Sequence, residues 1–399
     1  MHPAIVWSAD TVASRTAAYD RRSSALSSRP HAPSRPQRGD LPPPRESVLT
    51  LLELRYAAMS GARWMIASRV GLQLITWPIT IVVMRLLDPA DYGLFALAIV
   101  VSSLLVLVAE FGFDAALIQA SDPSSAEVRA ACSMVWLLNA LLAGGLWLSS
   151  DVLADAFDEP EVGALLRWMT LDLAFVALAV VPTAMLERRL QFRALSMVQM
   201  ASGALSSAVT LGCALADLDV WSLICGALTL SGSKLVLVAI TYRGLEWPGR
   251  LSRALVEPLW RMGRHVIASR VLWQWHSQSD QLVLGPIVSS ASLGSWSFAA
   301  QFSMLPVSKV SGTLQRVALP VLSRLPAGSA AVSATHRKLI GLVAIYAVGV
   351  CWGIASVAPE FVLLALGVKW QSAVLPLAVL SAVAPLRMLG ALNNLAATS

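Results

Sequence analysis

Charge is scarce in this chain. Charged residues make up 14% of it, against about 25% in ordinary soluble domains, and that deficit excludes a soluble globular protein. Lysine is scarcer still: only Lys234, Lys309, Lys338 and Lys369 stand among the 30 basic residues. Cysteine occurs four times, at Cys132, Cys213, Cys225 and Cys351, always inside apolar segments and without metal-ligand spacing. These are read as small packing residues, which excludes a disulfide framework or a thiolate metal centre. The five histidines are scattered and form no metal motif. There is no Walker A sequence, which excludes nucleotide hydrolysis by that route. No loop gathers Ser, His and Asp or a pair of carboxylates, and no outward loop exceeds about 15 residues. A membrane enzyme with its catalytic residues on the outer side is therefore disfavoured. The reading is a non-enzyme with no cofactor or metal and no nucleic-acid partner.

What the chain has instead is apolar length. Hydrophobic residues make up 56% and the mean hydropathy is +0.65. A helix needs about 20 apolar residues to cross the hydrocarbon of a bilayer. Ten segments are read as such helices, at about 64–86, 93–118, 130–150, 163–186, 197–217, 219–243, 264–286, 294–320, 338–358 and 373–395. The runs are too long for strands and lack period-two alternation. Basic residues orient them. One set of loops holds Arg129, Arg188, Arg189, Arg193, a cluster from Arg243 to Arg264, and Arg316, Arg324, Arg337 and Lys338; the other holds only Arg85 and Lys369. The richer side is cytoplasmic, which puts the N-terminus in the cytoplasm and the chain in the cell (cytoplasmic) membrane. Trp64, Trp221, Trp296 and Trp370, near helix ends, are read as interface anchors.

The chain also repeats itself. Arg63 to Ile99 lies on Arg264 to Ala300 without a gap, and Ile66-Ala67-Ser68-Arg69-Val70 recurs as Ile267-Ala268-Ser269-Arg270-Val271. Gln73 falls on Gln274, Val82 on Val283, Gly93 on Gly294 and Ala98 on Ala299. A fixed-period self-match marks two copies of one structural unit. It continues weakly into helices four and ten, where Pro182 falls on Pro385 and Met185-Leu186 on Met388-Leu389. Copies at an even helix spacing share one orientation, so their axis runs along the membrane normal. Helices five and six find no partner, and the second copy is read as truncated after four helices.

The resulting fold class is all-α: a polytopic membrane protein of about ten transmembrane helices, in two parallel-repeat bundles (six helices plus an incomplete four) around a central cavity. Residues 1–50, rich in Pro, Ser and Arg, are either a disordered basic cytoplasmic tail or a mis-called start ahead of Met59. Residues 51–243 form the first bundle and 263–399 the second. Residues 244–262, with Trp247, Leu251, Leu255 and Leu259 near helical spacing, are read as a helix on the cytoplasmic membrane surface.

Polar residues inside the membrane are costly, about 2.5–3.5 kcal/mol for an arginine on insertion scales, so they mark the site. Arg69, Gln73, Thr76 and Thr80 share one face of helix one. Their counterparts in helix seven are Arg270, Gln274, Ser277 and Gln281. Helix seven is polar from Gln274 to Gln281, so it must line protein or water. By helical rise, Arg69 and Arg270 sit about 8–9 Å from the cytoplasmic face, Lys234 and Lys309 roughly 13–16 Å and Arg387 about 10–12 Å. Facing inward, these five cations would form a basic pocket open to the cytoplasm, suited to a phosphate or diphosphate. The alternative is that the long side chains snorkel to the headgroups. Asp172 and Asp280 are candidates to carry a coupling proton or sodium ion, or to neutralise a cation structurally. His276 is read as a packing histidine, and Glu110 and Asp114 as reaching the inner interface.

The stretch Arg85-Leu86-Leu87-Asp88-Pro89-Ala90-Asp91-Tyr92-Gly93-Leu94-Phe95 resembles the signature of bacterial polysaccharide flippases in the multidrug/oligosaccharidyl-lipid/polysaccharide exporter superfamily. Glu110-Phe111-Gly112-Phe113-Asp114 and Ala116-Leu117-Ile118-Gln119 fit the same pattern, as do Leu293-Gly294, Pro306 and Arg316-Val317-Ala318-Leu319-Pro320 in the second half. The resemblance covers about residues 56–395. It implies two six-helix bundles around a cationic cavity, from which this chain departs by ending after ten helices. It also implies transfer of an undecaprenyl-diphosphate-linked oligosaccharide, a polyprenyl-diphosphate-linked substrate, from inner to outer leaflet for lipopolysaccharide or related cell-surface polysaccharide. Polymerase or chain-length machinery and membrane lipid would then be partners. On this reading Arg69 and Arg270 clamp the diphosphate, and Gln73, Gln274 and Ser277 contact sugar or phosphate oxygens. A cation- or drug-exporting antiporter of the same superfamily is the main alternative; a membrane-embedded glycan ligase or polymerase is the second, and the short outward loops argue against it.

Overall fold

Long apolar runs can satisfy their backbone hydrogen bonds in lipid only by coiling into helices. A computed structural model of the chain describes residues 71–110, 124–242, 249, 253–322 and 330–397, and these are helical almost throughout, with no strand among them. In order they are α1 (Gly71–Leu86), α2 (Pro89–Glu110), α3 (Ser125–Phe157), α4 (Pro160–Arg188), α5 (Phe192–Leu215), α6 (Val220–Tyr242), α7 (Arg253–Leu284), α8 (Ser290–Leu322), α9 (Ala330–Phe361) and α10 (Val374–Ala397). Seven helical stretches among the described residues are long and apolar enough to cross a membrane. The polar α7 and α8 are not among them. The N-terminal tail, Arg69, Trp64 and Asp114 lie outside the described residues.

Local signals set the ends. Ser124 caps α3 through the backbone N–H of Glu127, whose carboxylate accepts the Ser124 N–H in return, a capping box. Asp158 closes α3 in the left-handed region, at φ 54°, and Pro160 opens α4, where its missing N–H costs nothing. The interfacial helix expected over 244–262 is not separate: from Arg253 onward the chain is already α7 and runs unbroken to Leu284. Gly249, in the connection before it, donates its N–H to the Arg129 carbonyl at 3.3 Å and to Ser133 Oγ at 2.8 Å, and Ser133 Oγ donates back to the Gly249 carbonyl at 2.8 Å. The linker between the halves is thus pinned to the start of α3.

The repeat is visible as a contact. α2 and α8 cross where Gly93 meets Gly294. A Cβ on Gly93 would strike the carbonyl of Ser290, and a Cβ on Gly294 would strike the carbonyl of Pro89. Pro89 and Ser290 are themselves equivalent in the repeat, so each half offers the other the same surface, as a two-fold axis demands.

Two equivalent cores flank this crossing. Leu97, Ala98, Leu165, Leu166, Met169 and Leu173 are buried together in the first half; Phe298, Ala299, Leu366, Trp370 and Leu377 are buried together in the second. Each half also lends a residue to the other's core: Leu293 of α8 sits in the first cluster and Met84 of α1 in the second. The α9–α10 connection breaks the symmetry. Where α4 is regular from its start, the second copy runs through a π turn (Val362–Leu366), Gly367 at φ +99° and a 3-10 stretch (Val368–Ala373) before α10 begins. Glycine is needed at that φ because a Cβ would be strained there.

This stretch overturns one expectation. Trp370 is not an interface anchor. Its side chain is fully buried, its Nε1–H donates to the Met84 carbonyl at 2.8 Å, and Tyr92 and Phe298 pack edge-on against it. Next to it, Lys369 Nζ donates to the Leu86 carbonyl at 2.8 Å and pairs with Asp88 at 3.1 Å. The C-terminal end of α1 is thereby tied to the second half.

Candidate functional site

The polar face of α7 does line a cavity. A cleft of about 520 Å³ opens between α2 of the first half and α7, α8 and α10 of the second. Ser277, Gln278, Asp280 and Gln281 enter it from α7, Ser297, Gln301 and Ser303 from α8, and Arg387 from α10; Tyr92, Phe95 and Ile99 of α2 form the facing wall. Polar side chains gathered in an otherwise apolar membrane body make this the best-supported site in the described residues.

A second, smaller hollow of about 200 Å³ adjoins it, lined by Thr76, Trp77 and Thr80 of α1 and by Phe298, Phe302 and Phe361. Tyr92, Gln301 and Leu305 belong to both. The Tyr92 hydroxyl donates to Gln301 Oε1 at 2.7 Å, so one hydrogen bond between the halves forms the partition.

Of the stripe on α1, Thr76 and Thr80 reach the smaller hollow, the Thr80 hydroxyl donating to the Thr76 carbonyl at 2.8 Å. Gln73 is half-buried on the same helix. On α7, Ser277 and Gln281 face the cavity, whereas Gln274 is used for packing. Its Nε2 donates to Ser103 Oγ of α2 at 3.2 Å, and Ser103 donates onward to Gln278 Oε1 at 3.1 Å. Asp280 accepts the Trp296 indole N–H at 2.9 Å. Trp296 is therefore a buttress of the site and not the interface anchor its sequence position implied.

Three of the five expected cations, Arg270, Lys234 and Arg387, are described, and their side chains have different surroundings. Arg387 is on the cavity wall. Arg270 is engaged elsewhere: its Nη1 lies 3.6 Å from the carboxylate of Glu110, the last residue of α2. Glu110 thus turns toward the opposite half. Lys234 belongs to a separate polar centre in the first bundle, within electrostatic range of Asp172, whose carboxylate accepts a hydrogen bond from Ser231. Arg69 and the side chain of Lys309 lie outside the described residues. Among the described residues, the cavity combines one arginine with one aspartate and a set of amides and hydroxyls. No cluster of His, Cys, Asp or Glu among them could hold a metal ion, and all four cysteines are unpaired with one another by disulfide.

The residues that sequence reasoning missed are Tyr92, Gln301, Ser297 and Ser303. The only signal for Gln301 was a polar residue in an apolar helix at the position where the first half has Val100. Tyr92 carried none, since a tyrosine near a helix start is ordinarily an interface residue.

The sequence profile of the polysaccharide biosynthesis protein family matches residues 82–375, which include both sides of the crossing and nearly all of the cavity wall. The chain belongs to the polysaccharide biosynthesis protein family. This family member is 27% identical over 357 residues to the lipopolysaccharide biosynthesis protein WzxC of Escherichia coli (strain K12), covering 85% of this chain and 69% of that one. It is 25% identical to the teichuronic acid biosynthesis protein TuaB of Bacillus subtilis (strain 168), over 71% of this chain and 59% of the relative. With the succinoglycan biosynthesis transport protein ExoT of Rhizobium meliloti (strain 1021) it shares 26% identity, over 66% and 53%. The last two are matched over less than two thirds of their own length. Among solved structures, a Vibrio cholerae MATE transporter, VcmN in its bent form, superposes over 86% of this chain and 98% of its own, at 12% identity and a TM-score of 0.43.

Proposed function

We propose that this polysaccharide biosynthesis protein is a flippase of the cytoplasmic membrane. It carries a polyprenyl-diphosphate-linked oligosaccharide from the inner to the outer leaflet. The observation that carries the reading is the cavity between the halves, polar on α7, α8 and α10 and set in an apolar body. Amides, hydroxyls and one guanidinium are the groups that sugars and phosphates bind; they are poorly matched to an apolar cargo.

Arg69 and Arg270 clamp the diphosphate from the two halves, with Gln73 and Ser277, and Gln274 once it leaves Ser103, reaching sugar or phosphate oxygens, and Lys234 and Lys309 adding positive potential from α6 and α8. Rocking of the halves about the Gly93–Gly294 crossing switches access between leaflets. Asp280, on the cavity wall, and Asp172, beside Ser231, are the carriers for a coupling proton or sodium ion. Polysaccharide polymerase or chain-length machinery receives the product on the outer side, and the N-terminus stays in the cytoplasm.

The test is the leaflet distribution of lipid-linked glycans in cells from which the gene has been deleted. Accumulation on the cytoplasmic side, relieved by the intact gene, is the expected result and names the sugar. No accumulation, with altered sensitivity to cationic drugs, would move the protein to the exporter class. Replacing Arg69 and Arg270 together by alanine should abolish flipping at unchanged expression. Near-normal flipping would overturn the clamp.

A further inference from the structure

The Arg270–Glu110 pair gives the proposed clamp a built-in competitor. α2 belongs to the first half and α7 to the second, so this ion pair is a bond between halves at their inner ends. Each side chain is about one-third exposed, 32% for Arg270 and 30% for Glu110, so an incoming anion can reach the guanidinium. Arg270 lies seven residues, about 10 Å along the helix, inward of Ser277 on the cavity wall. The acid is one-sided: carrying the repeat beyond its gapless stretch places Ser311 where the first half has Glu110.

We infer that Glu110 is an anionic placeholder, occupying Arg270 when no substrate is bound and yielding it to the diphosphate. This rests on the flippase reading. A diphosphate offers more negative charge than a carboxylate and several oxygens to the forked donors of a guanidinium, so it wins the exchange. Displacing Glu110 breaks this ion pair and loosens α2 against α7 at their inner ends, while the Ser103 hydrogen bonds to Gln274 and Gln278 stay in place, so substrate binding itself lowers the resistance of the halves to moving. Without substrate the link holds them, and the empty carrier does not cycle.

The experiment uses the full chain in nanodiscs, with farnesyl diphosphate as the probe. Binding is read by titration, and coupling of the halves by hydrogen exchange at the inner ends of α2 and α7. Wild type should bind the probe and lose protection in both segments on binding. Glu110→Gln should bind about fivefold tighter, the scale of a partly exposed ion pair, and should show the loosened exchange pattern before any probe is added. Glu110→Ser, which copies the second half, should behave the same and covers the case in which the glutamine variant folds poorly. Arg270→Ala should loosen the halves yet bind weakly. If wild type binds and flips but both Glu110 variants bind no tighter and stay protected, the placeholder is overturned and the flippase reading stands. If wild type fails to bind the diphosphate and fails to flip, both are overturned.

Discussion

Trp370 shows what one side chain does here. It is the largest fully buried residue of the second core, and its indole N–H closes the Met84 carbonyl of α1. Trp370→Phe keeps most of the packing but leaves that carbonyl without its donor, a cost of about 1–3 kcal/mol. Trp370→Ala opens a cavity as well and should cost about 3–5 kcal/mol. Thermal unfolding of the purified protein in one detergent should rank wild type above the phenylalanine variant and that above alanine. Equal midpoints would show that the tie between α1 and the second core is dispensable. The sequence placed Trp370 near a helix end, where tryptophan is ordinarily an anchor. Only the π turn and the 3-10 stretch before α10 turn it inward, and no local pattern announces them. For Arg270 the residue type and depth were legible, but its partner was not. Glu110 stands 160 positions earlier in the chain, and the pair exists because α7 packs on α2.

At the scale of elements, the α2–α8 crossing is the feature most sensitive to a single atom. Gly93→Ala and Gly294→Ala each drive a methyl group into a backbone carbonyl of the opposite helix. Backbone cannot step aside as a side-chain tip can, so each substitution should destabilise by about 1–3 kcal/mol or more and splay the crossing. Gly144, Gly145 and Gly349 have open space where a Cβ would stand. Alanine there should leave stability unchanged or slightly raised, since glycine is the poorer helix former. Melting midpoints and yields of the five variants test this together, and similar losses in all of them would refute the role given to the crossing. The pairing of Gly93 with Gly294 was legible as sequence identity between the two copies. That they touch, each against the carbonyl of the other helix, was not, because a repeat states equivalence and says nothing of contact.

For the whole molecule, the question is how the halves are joined. The joints include the glycine crossing, the Lys369–Asp88 and Arg270–Glu110 pairs, and the Tyr92–Gln301, Trp370–Met84 and Gln274–Ser103 hydrogen bonds. The linker is another, held at Gly249 by Arg129 and Ser133. Ser133→Ala removes a donor and an acceptor from that anchor. It should accelerate tryptic cleavage at Arg243, Arg250 and Arg253 by about fivefold, the factor matching one net hydrogen bond of about 1 kcal/mol. An unchanged cleavage rate would show that the anchor does not govern access to the linker.

Although the starts of α7 and α9 lie 11 and 8 residues earlier than their apolar runs, the sequence by itself determined the succession of helices among the described residues, the two-fold repeat and the face of α7 that carries polar groups. Each is a property of neighbouring residues: run length against bilayer thickness, gapless self-match and helical periodicity. The tertiary structure alone decided which helix each face meets. It sent Gln274 to Ser103, Arg270 to Glu110 and Lys234 to the neighbourhood of Asp172, and it left Arg387 as the described cation on the cavity wall. The reason is geometric. Depth along a helix follows from counting residues, but the direction in which a side chain points also depends on how the helix is turned about its axis, and packing against distant segments sets that turn.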